Sequence, residues 1–408
     1  MPLRRCRSCN ASLDHEVVDL GAQPLANAFL REDDLDRMEP TWPLRAWVCG
    51  ACLLVQLEAF ESPERIFSDY PYFSSVSPSW LEHARRFAEL AIDRLGLGAG
   101  SRVVEIASND GYLLQYFAGA GVSVLGVEPA ANVARSAAAR GIPTRIEFFG
   151  AACADRLVGE GIRADLLVAN NVLAHVPDLH DFVEGLRRAL APGGVFCAEF
   201  PHLLRLLQEN QFDTIYHEHF SYLSLLSLEP VLEGHGLRIF DVEELATHGG
   251  SLRIHAAQDG RAVSPRVEAL RRLEHEAGLH RLDVYTGFGA RVQQVKRRLL
   301  EMLIGLKSRG ASVVGYGAPA KGNTLLNYCG IGRDFLDYVV DRSPAKQGLY
   351  LPGTRLAVHP PERVRVTRPD YLLVLPWNLQ AEVVEQMSFT REWGGRFIVP
   401  IPEPKMQP

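Results

Sequence analysis

Long apolar runs, an apolar leader and an excess of basic charge are all missing from this sequence of 408 residues. Its longest apolar stretches, such as Ala164–Asn170, are far shorter than the roughly 20 residues of a membrane-spanning helix. The N-terminus MPLRRCRSCN lacks the apolar segment of a secretory signal. Lys and Arg total 43 against 49 Asp and Glu, which excludes a basic nucleic-acid footprint. We therefore expect a cytoplasmic protein with neither a membrane nor a nucleic-acid partner.

Cysteine is also scarce, with seven residues in the whole chain. Without an export signal, a reducing compartment is expected, and a disulfide framework is not. Apolar residues make up 47% and charged residues 23%, as in ordinary globular proteins, so a disordered or fibrous chain is excluded. The length is sufficient for two to four domains with separate cores.

Four of the cysteines form two CxxC pairs, Cys6 with Cys9 and Cys49 with Cys52. Four thiolates suit tetrahedral zinc, and a filled coordination sphere leaves no position for catalysis, which predicts one structural Zn²⁺. The segment between the pairs has little periodicity, so we expect a loop-rich module held by the metal. The alternative is two unrelated reduced pairs. The remaining cysteines, which we expect to be small buried hydrophobes, are Cys153, Cys197 and Cys329.

The middle of the chain alternates predicted helices with predicted strands. A helical period covers Ser79 to Leu95, with Ser77 or Ser79 available as its N-cap. Predicted strands follow near 102–106, 122–127, 164–171 and 195–200, and several of them end in polar residues. This alternation predicts an α/β fold with a doubly wound parallel sheet.

The first strand of this sheet runs into an acidic turn, Glu105-Ile-Ala-Ser-Asn-Asp-Gly111. A Rossmann dehydrogenase is one alternative, but the turn lacks GxGxxG. It resembles motif I of class I S-adenosylmethionine-dependent methyltransferases. In that resemblance Glu128, at the end of the second strand, binds the ribose hydroxyls of the cofactor. The candidate cofactor-binding residues are Glu105, Ser108, Asn109, Gly111, Glu128 and Asn170.

A dense acid–base cluster follows the fifth strand, in Tyr216-His-Glu-His219. Histidine titrates near neutrality and can remove a proton at physiological pH, while a neighbouring carboxylate or phenol can orient its ring. Metal ligation is an alternative, although the HEH spacing differs from that of a helical HExxH site. A polar loop with aromatic anchors is the other alternative, but the position after a cofactor-binding sheet favours catalysis.

The C-terminal third predicts a second, smaller α/β unit. An apolar stripe from Val284 to Leu306 predicts one core-facing helix. The strand, glycine-rich turn and helix start in Gly315-Tyr-Gly-Ala-Pro-Ala-Lys-Gly322 resemble a dinucleotide site in design, and Lys321 there can add charge for a pyrophosphate. A purely structural turn is the alternative. We expect the proline-rich end, 400–408, to be loosely ordered.

Taken together, the CxxC pairs, Gln23-Pro-Leu-Ala-Asn-Ala-Phe29, the acidic turn, Tyr216-His-Glu-His219 and Gly315–Gly322 resemble the deoxysugar C-methyltransferase family over essentially the whole chain. The resemblance implies a zinc-binding N-terminal domain (1–68), a central class I methyltransferase Rossmann-like domain that binds S-adenosylmethionine (69–258), and a C-terminal Rossmann-like domain that contributes to nucleotide-sugar binding (259–408). It also implies dTDP-linked 4-keto deoxysugars as substrates, methylated on carbon 3, in antibiotic deoxysugar biosynthesis.

The resemblance also implies roles for individual residues. His219 matches the general base, Tyr216 a phenol beside the reacting carbon, and Glu218 the carboxylate of the same motif. Further catalytic positions match Tyr70, for which Tyr72 is an alternative, and His175. The candidate substrate-binding residues are Asn171, Tyr222, Lys321 and Tyr316.

Methylation at carbon 3 of a 4-keto sugar is also chemically consistent without reference to the family. A 4-keto group acidifies the C–H bond at carbon 3, so that a base can form an enolate, and nearby donors stabilise the negative charge. Two alternatives remain open, namely a sugar O- or N-methyltransferase and a zinc-bearing binding protein with an inactive cofactor fold. We expect a monomer or a small homo-oligomer.

Overall fold

The computed structural model describes residues 4–67 and 73–408, which form three β-sheets with helices packed around them. The strands, in chain order, are β1 (His15–Gln23), β2 (Trp42–Val48), β3 (Val55–Leu57), β4 (Arg102–Ile106), β5 (Ser123–Val127), β6 (Thr144–Arg145), β7 (Ala164–Asn170), β8 (Leu190–Pro201), β9 (Ser221–Tyr222), β10 (Arg238–Leu245), β11 (Ser251–Ala257), β12 (Val313–Tyr316), β13 (Val339–Val340), β14 (Val358–His359), β15 (Tyr371–Val374), β16 (Arg396–Val399) and β17 (Lys405–Gln407).

The helices, in chain order, are α1 (Pro63–Phe67), α2 (Pro78–Leu95), α3 (Leu114–Gly119), α4 (Ala131–Ala139), α5 (Ala151–Gly159), α6 (Leu179–Ala189), α7 (Leu203–Gln208), α8 (Leu225–Glu233), α9 (Pro265–Glu276), α10 (Leu282–Thr286), α11 (Phe288–Ser308), α12 (Ala320–Cys329), α13 (Arg363–Thr367) and α14 (Gln380–Gln386). None of the helices in residues 4–67 and 73–408 is both long and apolar enough to cross a membrane.

The N-terminal segment forms a sheet, and the prediction of a loop-rich module was wrong. β1, β2 and β3 pair antiparallel, and Leu44, Ala46 and Val48 of β2 are buried with the two-residue period of a strand. The fourth strand, β9, comes from far along the chain, and its Ser221 pairs with Gln56 of β3. The polar cluster just before β9 is therefore attached to the N-terminal sheet.

The central sheet has the strand order β10-β11-β8-β7-β4-β5-β6. Neighbouring strands from β8 to β6 are parallel, while β10 and β11 are antiparallel at one edge. This arrangement confirms the predicted doubly wound α/β sheet. Because parallel strands end at the same edge, the polar residues that follow β4, β5 and β7 are brought together there.

Helices cover both faces of the central sheet. The α2 helix begins at Pro78, where the Ser77 hydroxyl accepts a hydrogen bond from the Trp80 N–H, and it ends before Gly96 in left-handed conformation. Its Phe87 packs on one face, and Phe182 of α6 packs on the other. Burying each such side chain contributes roughly 1.5–3 kcal/mol, which holds the polar edge of the sheet in place.

The C-terminal sheet has the strand order β14-β13-β12-β15-β16-β17 and is parallel except for β17. Two predictions were wrong here. The chain end is ordered, because Gln407 of β17 pairs with Phe397 of β16. The predicted single helix is divided at Gly287 into α10, which contains Val284, and α11.

One continuous hydrophobic core joins the parts of the chain around the polar cluster. It includes Leu44 of the N-terminal sheet, Leu204 of α7, Leu299 of α11 and Leu326 of α12, each at most 1% exposed. Because these parts share a core, the loops between them hold fixed positions relative to one another.

Candidate active site

Four cysteine side chains meet in the N-terminal domain: Cys6, Cys9, Cys49 and Cys52. Their sulfur atoms all lie within 4.8 Å of one another, and the Cys6–Cys52 and Cys9–Cys49 pairs are 3.5 Å apart. Sulfurs bound tetrahedrally to zinc at about 2.3 Å lie roughly 3.8 Å apart, so this donor set fits one zinc ion. The predicted buried environments of Cys153, Cys197 and Cys329 are confirmed.

The acidic residues of the predicted cofactor site lie at the carboxyl edge of the central sheet. Glu128 follows β5, and its carboxylate accepts hydrogen bonds from the Asn109 N–H at 2.9 Å and the Ala130 N–H at 2.8 Å. Burial raises the pKa of Glu128, and these two donors oppose that shift. Each carboxylate oxygen has two lone pairs, so the Glu128 carboxylate can still accept hydroxyl groups of a ligand.

Several buried polar atoms around this edge have no hydrogen-bond partner among the described residues. They are Glu105 Oε2, Ser108 Oγ and Asn170 Oδ1. Burial raises the pKa of Glu105 well above its usual range. Buried polar atoms that are left unpaired carry a free-energy cost, and a ligand with N–H and O–H groups would remove it. The residues therefore fit a polar cofactor such as S-adenosylmethionine.

Backbone geometry brings the turn after β4 close to the Glu128 carboxylate. Asn109 has a left-handed conformation, and its side-chain oxygen accepts the Ser74 N–H at 2.9 Å. Gly111 has φ +79°, and a Cβ there would meet Ile142 at 3.0 Å. Glycine is therefore required at position 111 for both conformation and space.

His219 has a defined tautomer in the loop before β9. Its Nδ1 lies 2.9 Å from the main-chain oxygen of Thr214. A carbonyl oxygen only accepts hydrogen bonds, so this nitrogen carries the proton and Nε2 of the neutral ring keeps its lone pair. Burial lowers the pKa of His219 well below its usual range, and nearby His175 lowers it further. The ring is therefore neutral and able to accept a proton at physiological pH.

Aromatic rings surround His219 on several sides. The Tyr216 ring lies 4.0 Å from it between centroids, the His175 ring 4.7 Å and the Tyr222 ring 6.1 Å. His175 donates from Nδ1 to the main-chain oxygen of Glu218 at 2.8 Å, and burial lowers its pKa to about 4. The structure thus brings together four residues that the sequence singled out.

The Glu218 carboxylate binds a residue of the N-terminal domain instead of orienting His219. The Asn27 side-chain amide donates to both carboxylate oxygens, at 2.7 and 2.9 Å. The main-chain carbonyl of Thr214 orients the His219 ring, a role that the sequence left open to a neighbouring carboxylate or phenol. His217 lies apart from this group, with Nε2 3.3 Å from the Pro43 carbonyl oxygen.

The C-terminal domain contributes a lysine and an indole to the same region. Lys321 Nζ donates to the Asn378 side-chain oxygen at 2.8 Å and lies 4.7 Å from the Trp377 ring centroid. The Trp377 N–H donates at 2.6 Å to Asp213, next to Thr214. Burial raises the pKa of Asp213 to about 6, and the Lys321 charge opposes the shift.

His248 is a further group in this region that the sequence did not single out. It lies between β10 and β11 with φ +55°, and its ring contacts Trp80 at 5.3 Å. Burial lowers its pKa to about 4, and the Lys321 charge lowers it further. Two adjacent glycines, Gly249 and Gly250, follow His248, and this pair is the sequence signal that could have indicated the turn.

The glycine-rich turn of the C-terminal domain repeats the geometry at Glu128. Asp341, at the end of β13, accepts the Ala318 N–H at 2.6 Å and the Ser343 N–H at 2.7 Å. In both domains, an acid after one strand receives an N–H from the turn that follows the neighbouring strand. This is the arrangement of a nucleoside-binding βαβ unit.

The remaining predicted positions are separated from the rings around His219 or lie outside the described residues. Tyr316 packs on the face of its sheet opposite α12, since neighbouring strand residues alternate between faces, and its hydroxyl donates to the Gln386 side chain. Its role in substrate binding stays a prediction. Asn171 follows β7 with φ +57°, and its N–H donates to the Glu199 carbonyl. Tyr70 and its alternative Tyr72 lie outside the described residues.

Three family models match the chain, and their descriptions are "Putative zinc binding domain" over residues 6–67, "Methyltransferase domain" over 80–242 and "C-methyltransferase C-terminal domain" over 246–402. The C-methyltransferase NovU of Streptomyces niveus is 39% identical over 407 residues, which are 99% of this chain and 97% of that protein. The magnesium protoporphyrin IX methyltransferase ChlM of Synechocystis PCC 6803, solved with bound SAH, is 14% identical with a TM-score of 0.36 and covers 44% of this chain and 83% of its own.

The central sheet, with its methyltransferase family match, defines an S-adenosylmethionine-dependent methyltransferase. The similarity to NovU runs through all three matched segments, including the one specific to C-methyltransferases. The chain belongs to the deoxysugar C-methyltransferase family.

Proposed function

We propose that this enzyme methylates carbon 3 of a dTDP-linked 4-keto deoxysugar through an enolate. The observation that carries the proposal is the tautomer of His219, whose unprotonated Nε2 belongs to a buried neutral ring. An oxygen or nitrogen acceptor already has a lone pair that can attack the methyl group, whereas a carbon acceptor must first lose a proton to a base of this kind.

His219 is the general base in this proposal. Its Nε2 takes the proton of carbon 3, the C–H electron pair forms the double bond between carbons 3 and 4, and the carbonyl π electrons move to oxygen. Tyr216, 4.0 Å away between ring centroids, flanks the reacting carbon, and Tyr222 and His175 form the other walls. These rings exclude water and hold the sugar ring in position for attack.

The cofactor occupies the carboxyl edge of the central sheet. Glu128 receives the ribose hydroxyls, and the unpaired oxygens of Glu105, Ser108 and Asn170 receive further donors, while Asn109 and Gly111 shape the turn. Bound S-adenosylmethionine supplies an electrophilic methyl group on its sulfonium.

The nucleotide part of the substrate binds the C-terminal domain, residues 259–408. The support is Asp341, whose contacts with the glycine-rich turn match those of Glu128 in the methyltransferase domain, residues 69–258. Asn171, Tyr222 and Lys321 contact the sugar end in this proposal. The N-terminal domain, residues 1–68, holds one structural Zn²⁺ between its four cysteine sulfurs.

A mass-spectrometric assay tests the function directly. Purified enzyme with S-adenosylmethionine and a dTDP-4-keto-deoxysugar should give a product heavier by one methylene, and NMR should place the new methyl on carbon 3. Without the methyl donor, the carbon 3 proton should exchange with deuterated solvent. A product methylated on oxygen or nitrogen, or an absence of both exchange and methylation across dTDP-4-keto sugars, contradicts the proposal.

A further inference from the structure

Lys321 is a cation in an electrostatically unfavourable place. It lies at the second residue of α12, where the helix dipole is positive, and burial lowers its pKa. Among residues 4–67 and 73–408, no carboxylate oxygen lies within 4.0 Å of its Nζ. Its nearest hydrogen-bond partner is the neutral oxygen of Asn378. The charge of Asp213 opposes the lowered pKa of Lys321, and an anionic group on the substrate would add to this stabilisation.

The position of Lys321 relates it to the reacting end of the substrate. Its charge lowers the pKa values of both His219 and His248 and opposes the raised pKa of Asp213. His219 and Asp213 belong to the segment before β9 and His248 to the turn between β10 and β11, so the Lys321 charge acts on titratable groups of two separate loops. The indole of Trp377, on which Lys321 rests, fixes Asp213, and Asp213 precedes the carbonyl that orients His219.

We propose that Lys321 is a catalytic residue that binds the ketone oxygen of the sugar and stabilises the enolate, rather than a ligand of the diphosphate. The inference rests on the proposed function. As His219 removes the proton from carbon 3, negative charge develops on the oxygen, and the ammonium donates a hydrogen bond to it. When carbon 3 attacks the methyl group, the carbonyl forms again from the oxygen electron pair, the enolate double-bond pair forms the bond to the methyl carbon, and the sulfur–methyl bond would break with its pair remaining on sulfur, which leaves S-adenosylhomocysteine. The charge-assisted hydrogen bond is strongest when the charge is on oxygen, which is the requirement for catalysis.

The test compares Lys321→Met with Lys307→Met. Lys307 lies at the end of α11, 3.7 Å from Asp337, and serves as a matched control in the same domain. Lys321→Met should lower kcat roughly 100-fold or more, as expected for removal of an oxyanion donor, and slow exchange of the carbon 3 proton equally. The affinities for dTDP and S-adenosylmethionine, measured by calorimetry, should change less than about threefold. Lys307→Met should behave as wild type.

The pH profile gives a second readout that a structural role would not produce. Charged and titratable groups around His219 come from every neighbouring element: Asp213, Tyr216, Glu218 and Tyr222 from its own segment, His175 after β7, His248 before β11 and Lys321 from α12. Because the Lys321 charge lowers the pKa of His219, its removal should shift the acidic limb of kcat/KM to higher pH. Lys321→Arg, which keeps the charge, should leave that limb in place.

The outcomes distinguish this proposal from the proposed function. If wild type neither exchanges nor methylates carbon 3, both fail. If wild type is active and Lys321→Met keeps a normal kcat but loses dTDP affinity or raises the substrate KM, Lys321 binds the diphosphate and this proposal alone is overturned. Should Lys321→Met lose S-adenosylmethionine affinity through misfolding, Lys321→Gln decides by the same comparison, and a normal kcat for it overturns the proposal.

Discussion

His219 keeps its proton-accepting nitrogen because a main-chain carbonyl occupies the other one. The Thr214 oxygen cannot donate, so the proton on Nδ1 is fixed without any second titratable group. Burial keeps the ring neutral, which leaves the lone pair available over the whole physiological pH range. At the scale of the residue, the loop backbone and the burial of the ring set its protonation state.

Replacement of His219 should therefore be far more damaging than replacement of its neighbour. His219→Asn should lower turnover roughly 100-fold or more, the usual range for loss of a general base, and stop exchange of the carbon 3 proton. Its affinities for cofactor and dTDP should stay near wild type.

His217→Asn is the control, because His217 contacts the Pro43 carbonyl away from the other rings. Its loss should change turnover much less. Near-normal turnover of His219→Asn together with an inactive Tyr216→Phe would identify the Tyr216 phenolate as the base.

Two strand–turn–helix elements of the chain use the same hydrogen-bond geometry. Glu128 after β5 and Asp341 after β13 each accept one N–H from the turn of the adjacent unit and one from two residues further along their own chain. The acid thereby orders the turn against which a nucleoside would lie. The two elements are expected to bind different ligands.

Alanine variants of the two acids should separate these ligands. Glu128→Ala should weaken S-adenosylmethionine binding about 10-fold or more, since hydrogen bonds to a charged group contribute roughly 1.5–3 kcal/mol, and should leave dTDP binding unchanged. Asp341→Ala should show the reverse. Isothermal titration calorimetry of both ligands on both variants measures this, and each variant is the folding control of the other. Equal losses of both affinities in either variant would contradict the assignment.

At the scale of the whole molecule, the N-terminal part of the chain is connected to the Tyr216–His219 segment at several points. Asn27, in the segment 23–29, donates to the Glu218 carboxylate, and Asn323 of α12 donates to the Ala26 main-chain oxygen at 2.6 Å. The pairing of β9 with β3 adds a second connection. The order of the Tyr216–His219 segment therefore depends on the integrity of the N-terminal domain.

Zinc content should follow the four cysteines closely. Protein purified without chelator should contain about one equivalent of zinc, set by a single four-thiolate site. Cys49→Ser should lower metal content and melting temperature, because the remaining three thiolates hold the ion weakly. Cys329→Ser, a buried cysteine outside the cluster, should keep the full equivalent. Metal-free wild-type protein, by elemental analysis, would rule out the zinc site.

The sequence by itself determined the features that short segments carry. The spacing of the cysteines predicts their convergence, and strand ends at Glu105, Glu128 and Asn170 predict a common edge, because strand period and parallel pairing are local rules. The resemblance to a family of deoxysugar C-methyltransferases came from the same local motifs.

Only the tertiary structure decided how distant segments complete the site. Asn27 reaches Glu218 across 191 residues of chain, and the charge of Lys321, from the C-terminal domain, lowers the pKa of His219. The N-terminal sheet likewise needs β9 as its fourth strand. No local period encodes such contacts, because they depend on how the three sheets pack around one shared core, and that packing selects the partner of each polar group.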